Sequence, residues 1–411
     1  MTRWFVKLGK LLNWLLPKNK NYIYAYPHLN GKTDRYDLLN CNSDNLLLVL
    51  HELCQTDIPN KAVVFLECYD PDRISVLEEW IKSKSLKKLD IQLLLSRHAD
   101  GEKKSKIIRS LKTTFIRYRC KYWLSDAEHC GFHFDKTGRQ KFICLSYCTP
   151  LKSGTDVEKY GTLEKVDGFV QTSLLTANIC SSEFAVSLPK CPILGLPRND
   201  TLFHREKEKE VHDWIKSVTK AKYKYMIVYA PTYRDYSGAY SSTCVFGFSD
   251  FEHKLDSFLE ENKILVVTKP HPLQGVGKSV YSDRVIKYDQ KYSFSLYDLL
   301  AVSDLLVSDY SSVIHDYIIA DKKVVLDFFD RDIYESTRGF SFDPIDYICP
   351  GPISESLDVL LDNIMKSLTD NSVSEDQHRV CSMFHKYRDD QSLERNIDYL
   401  KKEIPPLQDR M

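Results

Sequence analysis

The chain has 411 residues, enough for two ordinary domains, and 43% hydrophobic against 28% charged residues marks a folded globular protein. Its 57 basic and 57 acidic side chains cancel, which removes a broad electrostatic case for nucleic acid. The 12 cysteines are scattered without a CxxC pair, many in apolar runs, which argues against a disulfide framework and for a reducing compartment.

Taken in order, the first stretch reads MTRWFVKLGKLLNWLLPKNK. Lys7 and Lys10 break its apolar run and no small-residue cleavage site follows, so it is not a secretory signal. It is also too short and too charged to span a bilayer. On a helical wheel Trp4, Phe5, Leu8, Leu11, Leu12 and Leu15 cluster, with Lys7, Lys10 and Lys18 towards the edges and ends. The pattern predicts an amphipathic helix within residues 1–20 lying on an anionic membrane surface. A first helix packed on the domain, or a dimer contact, would carry the same pattern.

From Asn21 short apolar runs alternate with longer amphipathic stretches. Strands are predicted over Tyr22–Tyr26, Ala62–Tyr69, Ile91–Ser96, Tyr122–Ser125, Phe142–Ser146, Gly168–Thr172 and Ile193–Leu196, with helices such as Asp44–Leu53 and Ile74–Lys84 between the early ones. A second series places strands at Tyr225–Tyr229, Ile264–Thr268, Val285–Lys287, Leu305–Val307 and Val324–Phe328. Its helices are predicted at Glu206–Val218, Asp250–Asn262, Leu296–Val302 and Val313–Ala320, and helix-rich sequence follows at Glu355–Leu368 and Ser374–Lys386. This alternation predicts an α/β protein with two doubly wound domains, 21–196 and 197–375, facing across a cleft, a linker around Pro197–Thr201, and a helical tail over 376–411.

Ligands of such sheets sit outside the carboxyl ends of the strands. After Tyr225–Tyr229 the chain reads Ala230-Pro231-Thr232-Tyr233-Arg234-Asp235; after Ile264–Thr268 it reads Lys269-Pro270-His271-Pro272. After Leu305–Val307 come Ser308-Asp309-Tyr310-Ser311-Ser312, with Ser311 or Ser312 expected to cap the helix that follows. Arg234, Lys269 and His271 beside a hydroxyl-rich helix start make an anion site: Arg chelates phosphate oxygens, and a His can stabilise a departing phosphate. Asp316, four residues after Ser312, is expected on the same helix face. Elsewhere, His129, Cys130 and His133 are metal-ligand types but lack a fourth partner. Pro27 to Lys32 reads as a turn in which His28, Asn30 or Lys32 either touches an acceptor or belongs to a plain loop.

Four motifs, in order, carry a resemblance. Gly195-Leu196-Pro197-Arg198-Asn199-Asp200, then YAPTYRD, then KPHP, then SDYSSVIHDY followed by DKKVVLDFFD, are similar to the successive motifs of the CDP-glycerol glycerophosphotransferases, the primases and polymerases of teichoic acid and capsule. Earlier, Thr149-Pro150-Leu151-Lys152 resembles the end of that family's Trp-His-Gly-Thr-Pro-Leu-Lys motif. The resemblance implies a GT-B fold and transfer of glycerol phosphate or ribitol phosphate from a CDP-activated donor to a hydroxyl of a lipid-linked acceptor, with release of CMP. It implies no metal and no cofactor beyond the CDP-alditol co-substrate. The implied partners are CDP-glycerol or CDP-ribitol, the lipid-linked acceptor and the membrane surface, with homo-oligomerisation left open and nucleic acid excluded. The implied location is peripheral, on the cytoplasmic face of the cell membrane.

Carried over, Arg234 and His271 contact the donor diphosphate, with Lys269 beside them. Ser311 and Ser312 hold phosphate, and Asp316 accepts from polyol hydroxyls. Thr232, Thr149 and Lys152 complete the substrate-binding set. The family's histidine base aligns with Tyr147, and a tyrosine that ordinarily ionises near pH 10 is a poor base at neutral pH. Three accounts stay open: a nearby cation such as Lys152 activates Tyr147; another group after the preceding strand serves, Asp126, Glu128, His129 or His133, with Asp126 the first choice; or the protein binds donor without this chemistry. A GT-B glycosyltransferase using a nucleotide sugar and a catalytically silent donor-binding relative are the competing readings.

Overall fold

The computed structural model describes residues 3–27, 45–55, 62–68, 78, 89–95, 103–126, 136–146, 149, 151, 162–232, 252–269, 280–288 and 294–408. The chain divides into two compact units. The first comprises Met1–Tyr147, Thr155–Asp200 and Asp390–Met411; the second comprises Cys148–Gly154 and Thr201–Asp389.

The first unit runs α1 (Arg3–Leu15), β1 (Asn19–Tyr26), α2 (Asn45–Gln55), β2 (Val63–Cys68), β3 (Asp90–Leu95), α3 (Lys103–Arg119), β4 (Cys120–Ser125), β5 (Lys141–Cys144), β6 (Gly168–Phe169) and α4 (Leu174–Phe184). Its described strands pair in parallel in the order β3-β2-β1-β4-β5-β6. Alternate residues go to opposite faces, and both faces are apolar. Ile23, Val64, Leu124 and Ile143 pack towards α2 on one side. Tyr24, Phe65, Trp123 and Phe142 pack towards α4 on the other. Ser173 opens α4 with a reciprocal capping box to Thr176. The strand predicted over residues 193–196 shrinks to a single parallel bridge, Gln171 to Ile193. Pro192 offers no N–H to a ladder, and Gly195 turns the chain away at φ +85°.

The second unit runs α5 (Glu208–Val218), β7 (Tyr225–Ala230), α6 (Glu252–Glu261), β8 (Ile264–Thr268), β9 (Val280–Ser282), β10 (Val285–Lys287), α7 (Leu296–Val302), β11 (Leu305–Ser308), α8 (Val313–Tyr317), β12 (Lys323–Asp327), α9 (Arg331–Thr337), β13 (Ile353–Ser354), α10 (Leu357–Thr369) and α11 (Glu375–Phe384). The sheet order is β13-β12-β11-β7-β8-β10-β9, parallel except for β9. Ile227, Val266, Leu305 and Val325 face Leu255 and Leu259 of α6 and Leu360 and Ile364 of α10. The helix predicted over 313–320 is α8 followed by a tight turn at Ile318–Ala320, ended by Asp321 at φ 56°.

The chain then returns to the first unit as α12 (Ser392–Glu403). The Asp200 carboxylate accepts from the N–H groups of Ser392 (3.0 Å) and Leu393 (2.7 Å), the first turn of α12. The Asn396 amide donates to Gly195 O (3.0 Å), where a Cβ would collide with Ser392 Oγ. Ile397 and Leu400 complete the apolar layer over α2.

In both sheets the strand order reverses beside the first strand of the unit, between β1 and β4 and between β7 and β11. These reversals open a crevice at the carboxyl edge and are the favoured ligand positions of α/β sheets. No described helix is long and apolar enough to cross a membrane.

Candidate functional site

In the second unit β11, β7 and β8 are consecutive neighbours, so the segments after them emerge side by side. Thr232, Lys269, Ser311 and Ser312 therefore share one edge. Arg234 and His271, each two residues further on, lie outside the described residues, as do Tyr147 and Lys152 and the turn at His28, Asn30 and Lys32.

A Ser-Asp pair closes the reversal. The Ser308 hydroxyl donates to Ala230 O at the end of β7 (2.6 Å). Asp309, 2% exposed, accepts from the Thr232 N–H with both carboxylate oxygens (2.8 and 3.0 Å). The following Tyr310 stacks on Tyr334 at 4.0 Å, touches Phe328 at 4.6 Å and donates to Asp330 (3.2 Å). The turn is thus clamped on both sides before Ser311 and Ser312 emerge half-buried.

Ser312 stands at the N-cap position of α8, but its side chain makes no capping bond; its backbone is already helical at φ −60° and ψ −17°. The capping expectation is corrected here: the first internal bonds run from the N–H groups of Ile314 and His315 to Ser311 O and Ser312 O. The N–H groups of Ser312 and Val313 stand ahead of that ladder, beside the two hydroxyls. Asp316 differs from Ser312 in setting. It is fully buried and accepts from the Tyr297 hydroxyl at 2.5 Å, which roots α8 on α7. Thr149 is buried, with no partner for its hydroxyl among the described residues; Leu151 O accepts from the Ser341 N–H (2.9 Å).

Beneath the turn a small cavity is lined by Leu151, Tyr310, His315, Phe340, Ile348 and Cys349, among others. His315 is fully buried; its Nε2–H donates to Ile348 O (2.9 Å), and His385 Nε2–H donates to His315 O (2.8 Å). Burial holds the His315 imidazole down to about 4, so it is neutral, with Nδ1 facing no partner among the described residues.

The first unit repeats the Ser-Asp arrangement at its own reversal. The Ser125 hydroxyl donates to Tyr26 O at the end of β1 (2.7 Å), as Ser308 does to Ala230. Asp126, 1% exposed, accepts from the Leu46 N–H at the start of α2 (3.2 Å). Its carboxylate is thereby engaged in holding the fold, as that of Asp309 is. Beside it Asn45, 1% exposed, donates to Ser146 O (3.0 Å) and accepts from the Arg198 N–H (3.0 Å). Ser146 itself is left-handed at φ 62°, a conformation that costs a non-glycine residue about 1–2 kcal/mol. Asn45 escapes a reading that looks for charged groups, and so does the part the two Ser-Asp pairs play in closing the reversals. The recurring signal was nevertheless in the sequence: an apolar run ending in Ser-Asp, at Leu124-Ser125-Asp126 and Val307-Ser308-Asp309.

The sequence profile of the family described as CDP-Glycerol:Poly(glycerophosphate) glycerophosphotransferase matches residues 67–402. Teichoic acid ribitol-phosphate polymerase TarL of Staphylococcus aureus is 32% identical over 211 residues, 49% of this chain and 35% of that protein. The teichoic acid glycerol-phosphate primase of Bacillus subtilis is 23% identical over 373 residues, 84% of this chain and 92% of that protein. Against TarL and the two relatives next in similarity, the matched region spans only about a third to a half of their length. The solved structure of the wall teichoic acid polymerase TagF superposes with a TM-score of 0.69 at 20% identity, covering 98% of this chain and 94% of that one, and gives the fold as α/β and GT-B-like. With the profile covering most of the chain, from the end of β2 to the end of α12, the chain belongs to the CDP-Glycerol:Poly(glycerophosphate) glycerophosphotransferase family.

Proposed function

We propose that this protein transfers an alditol phosphate, glycerol phosphate or ribitol phosphate, from a CDP-activated donor to a hydroxyl of a lipid-linked acceptor in cell-surface polymer synthesis. The observation that supports the reading is the shared edge of β11, β7 and β8, from which Ser311, Ser312, Thr232 and Lys269 emerge, with Arg234 and His271 two residues further along the chain. Family membership supports it.

In this reading the acceptor oxygen attacks the phosphorus that carries the alditol. The bridging P–O bond to CMP breaks, and the bond to the acceptor forms. Arg234, Lys269 and the turn at Ser311 and Ser312 hold the diphosphate, and His271 donates a proton to the departing CMP. Thr232 shapes the β7 edge through Asp309, and Asp316 positions α8 from below. The acceptor proton leaves at the carboxyl edge of the first sheet. Because the Asp126 carboxylate is engaged with α2, we assign that proton to Tyr147 acting as the phenolate, an ionisation that the Lys152 cation of the same motif would favour, with Thr149 beside it in that motif. No cofactor takes part beyond the CDP-alditol.

We place the protein at a membrane surface. Asn13 anchors α1 by donating to Gln140 (2.7 Å), while Leu11, Leu12, Trp14 and Leu15 are exposed. The neighbouring α3 exposes Ile107, Ile108, Leu111 and Phe115 and carries many Lys and Arg residues with no acidic one. Apolar side chains outward among cations suit an anionic leaflet.

The test is turnover of CDP-glycerol, CDP-ribitol and nucleotide sugars with an extracted lipid-linked acceptor pool, following CMP and product mass. CMP release tied to acceptor extension is expected. Turnover of a nucleotide sugar instead would move the protein to the glycosyltransferases; tight donor binding with no turnover would make it a silent relative.

A further inference from the structure

We propose that Asn45 is the positioning residue of the acceptor side, holding the turn that leads from β5 into Tyr147. The inference deepens the transferase reading and rests on it for its catalytic part. Three segments distant in sequence meet at this buried amide: the start of α2, the left-handed Ser146 and Arg198 in the turn Pro197–Phe203. The bonds fix the amide's orientation, because a carbonyl needs a donor and an N–H needs an acceptor. Asn45 Nδ2 supplies the first to Ser146 O, and Oδ1 the second to the Arg198 N–H, both at 3.0 Å. Neither Asp nor a hydroxyl on so short a side chain supplies both. Without the amide donor Ser146 O loses this partner, and the left-handed backbone at φ 62° loses a restraint that opposes its relaxation. That relaxation acts on the peptide bond that joins Ser146 to the next residue in the chain, Tyr147.

The full-length protein with its CDP-alditol and lipid-linked acceptor tests this. Asn45→Ala is expected to lower kcat by about 100-fold, the cost of displacing a reacting group by about 1 Å, with the donor KM changed little. Asn45→Asp keeps the acceptor for Arg198 but loses the donor to Ser146, and is expected to fall with Asn45→Ala. Adding Ser146→Gly, which adopts a positive φ freely, is expected to restore most of the lost kcat. Hydrogen exchange gives a readout that does not need turnover: Asn45→Ala should speed exchange in the peptide around 144–147, and Ser146→Gly should slow it again. Equal loss of kcat and of donor binding, or no rescue by Ser146→Gly in a protein that is still folded, overturns the proposal. If the unmodified protein turns over no CDP-alditol, the transferase reading fails, while the exchange measurement still decides whether Asn45 holds the turn.

Discussion

Two buried carboxylates, Asp126 and Asp309, occupy equivalent places in the two sheets, and each is engaged with a backbone N–H across the reversal. Each carboxylate thus ties the end of one strand to the segment that follows its neighbour. Asp126→Asn keeps an acceptor for Leu46 and removes only the charge, so we expect kcat within a few-fold of the unmodified enzyme; complete loss of turnover in a stable protein would return Asp126 to the role of base. Asp309→Ala removes the carboxylate that accepts from the Thr232 N–H, and about 1–3 kcal/mol of stability should go with it, read by denaturant titration. His315 makes a pH prediction. Its imidazole is held down to about 4 by burial, below the ordinary value near 6.5. Between those values the unfolded chain binds the proton and the folded one does not, so stability is full above about pH 6.5 and falls as the pH drops towards 4. The loss at pH 5 should be about 2 kcal/mol, and His315→Gln should flatten that part of the curve. From the sequence, Ser311 and Ser312 could be placed at a strand end. That Asp316 would be buried under Tyr297 could not, because helical spacing gives a shared face but not which way the face points.

Among elements, the strands were the most legible, since parallel strands covered on both sides must be apolar along their length, as Leu305 to Val307 and Ile264 to Val267 are. Elements whose burial comes from distant partners were not. α12, polar on one side, reads as tail until Asp200 and Gly195 are seen to receive it. Asp200→Ala should therefore loosen α12: hydrogen exchange across 392–403 should speed up and the midpoint of unfolding should fall, whereas Asp200→Asn should lose less. An unchanged exchange pattern would show that α12 is held by its apolar face alone. α1 and α3 belong together in a second prediction. Replacing Leu111 and Phe115 with Glu should release the protein from vesicles containing anionic lipid, as should removal of residues 1–16, and high salt should weaken binding of the unmodified protein. Retention of the charged variant on such vesicles would place the membrane contact elsewhere.

For the whole molecule, β/α alternation was enough to specify two sheets, because each unit repeats one strand order with one reversal. The path between units was not legible, since no local pattern encodes which core a late helix joins. The chain passes from the first unit to the second near residue 148, returns near 155, leaves again after Asp200 and comes back at Asp390. This bears on dissection of the protein. A fragment cut at the apparent linker and carrying only 21–196 would leave bare the side of α2 that Ile397, Leu400, Ile404 and Leu407 cover, and it would behave as a sticky, partly open body. Supplying residues 390–408 as a separate peptide, together with an Asp200-containing fragment, should restore it. In this protein the first unit is non-contiguous, completed only after the second has been synthesised.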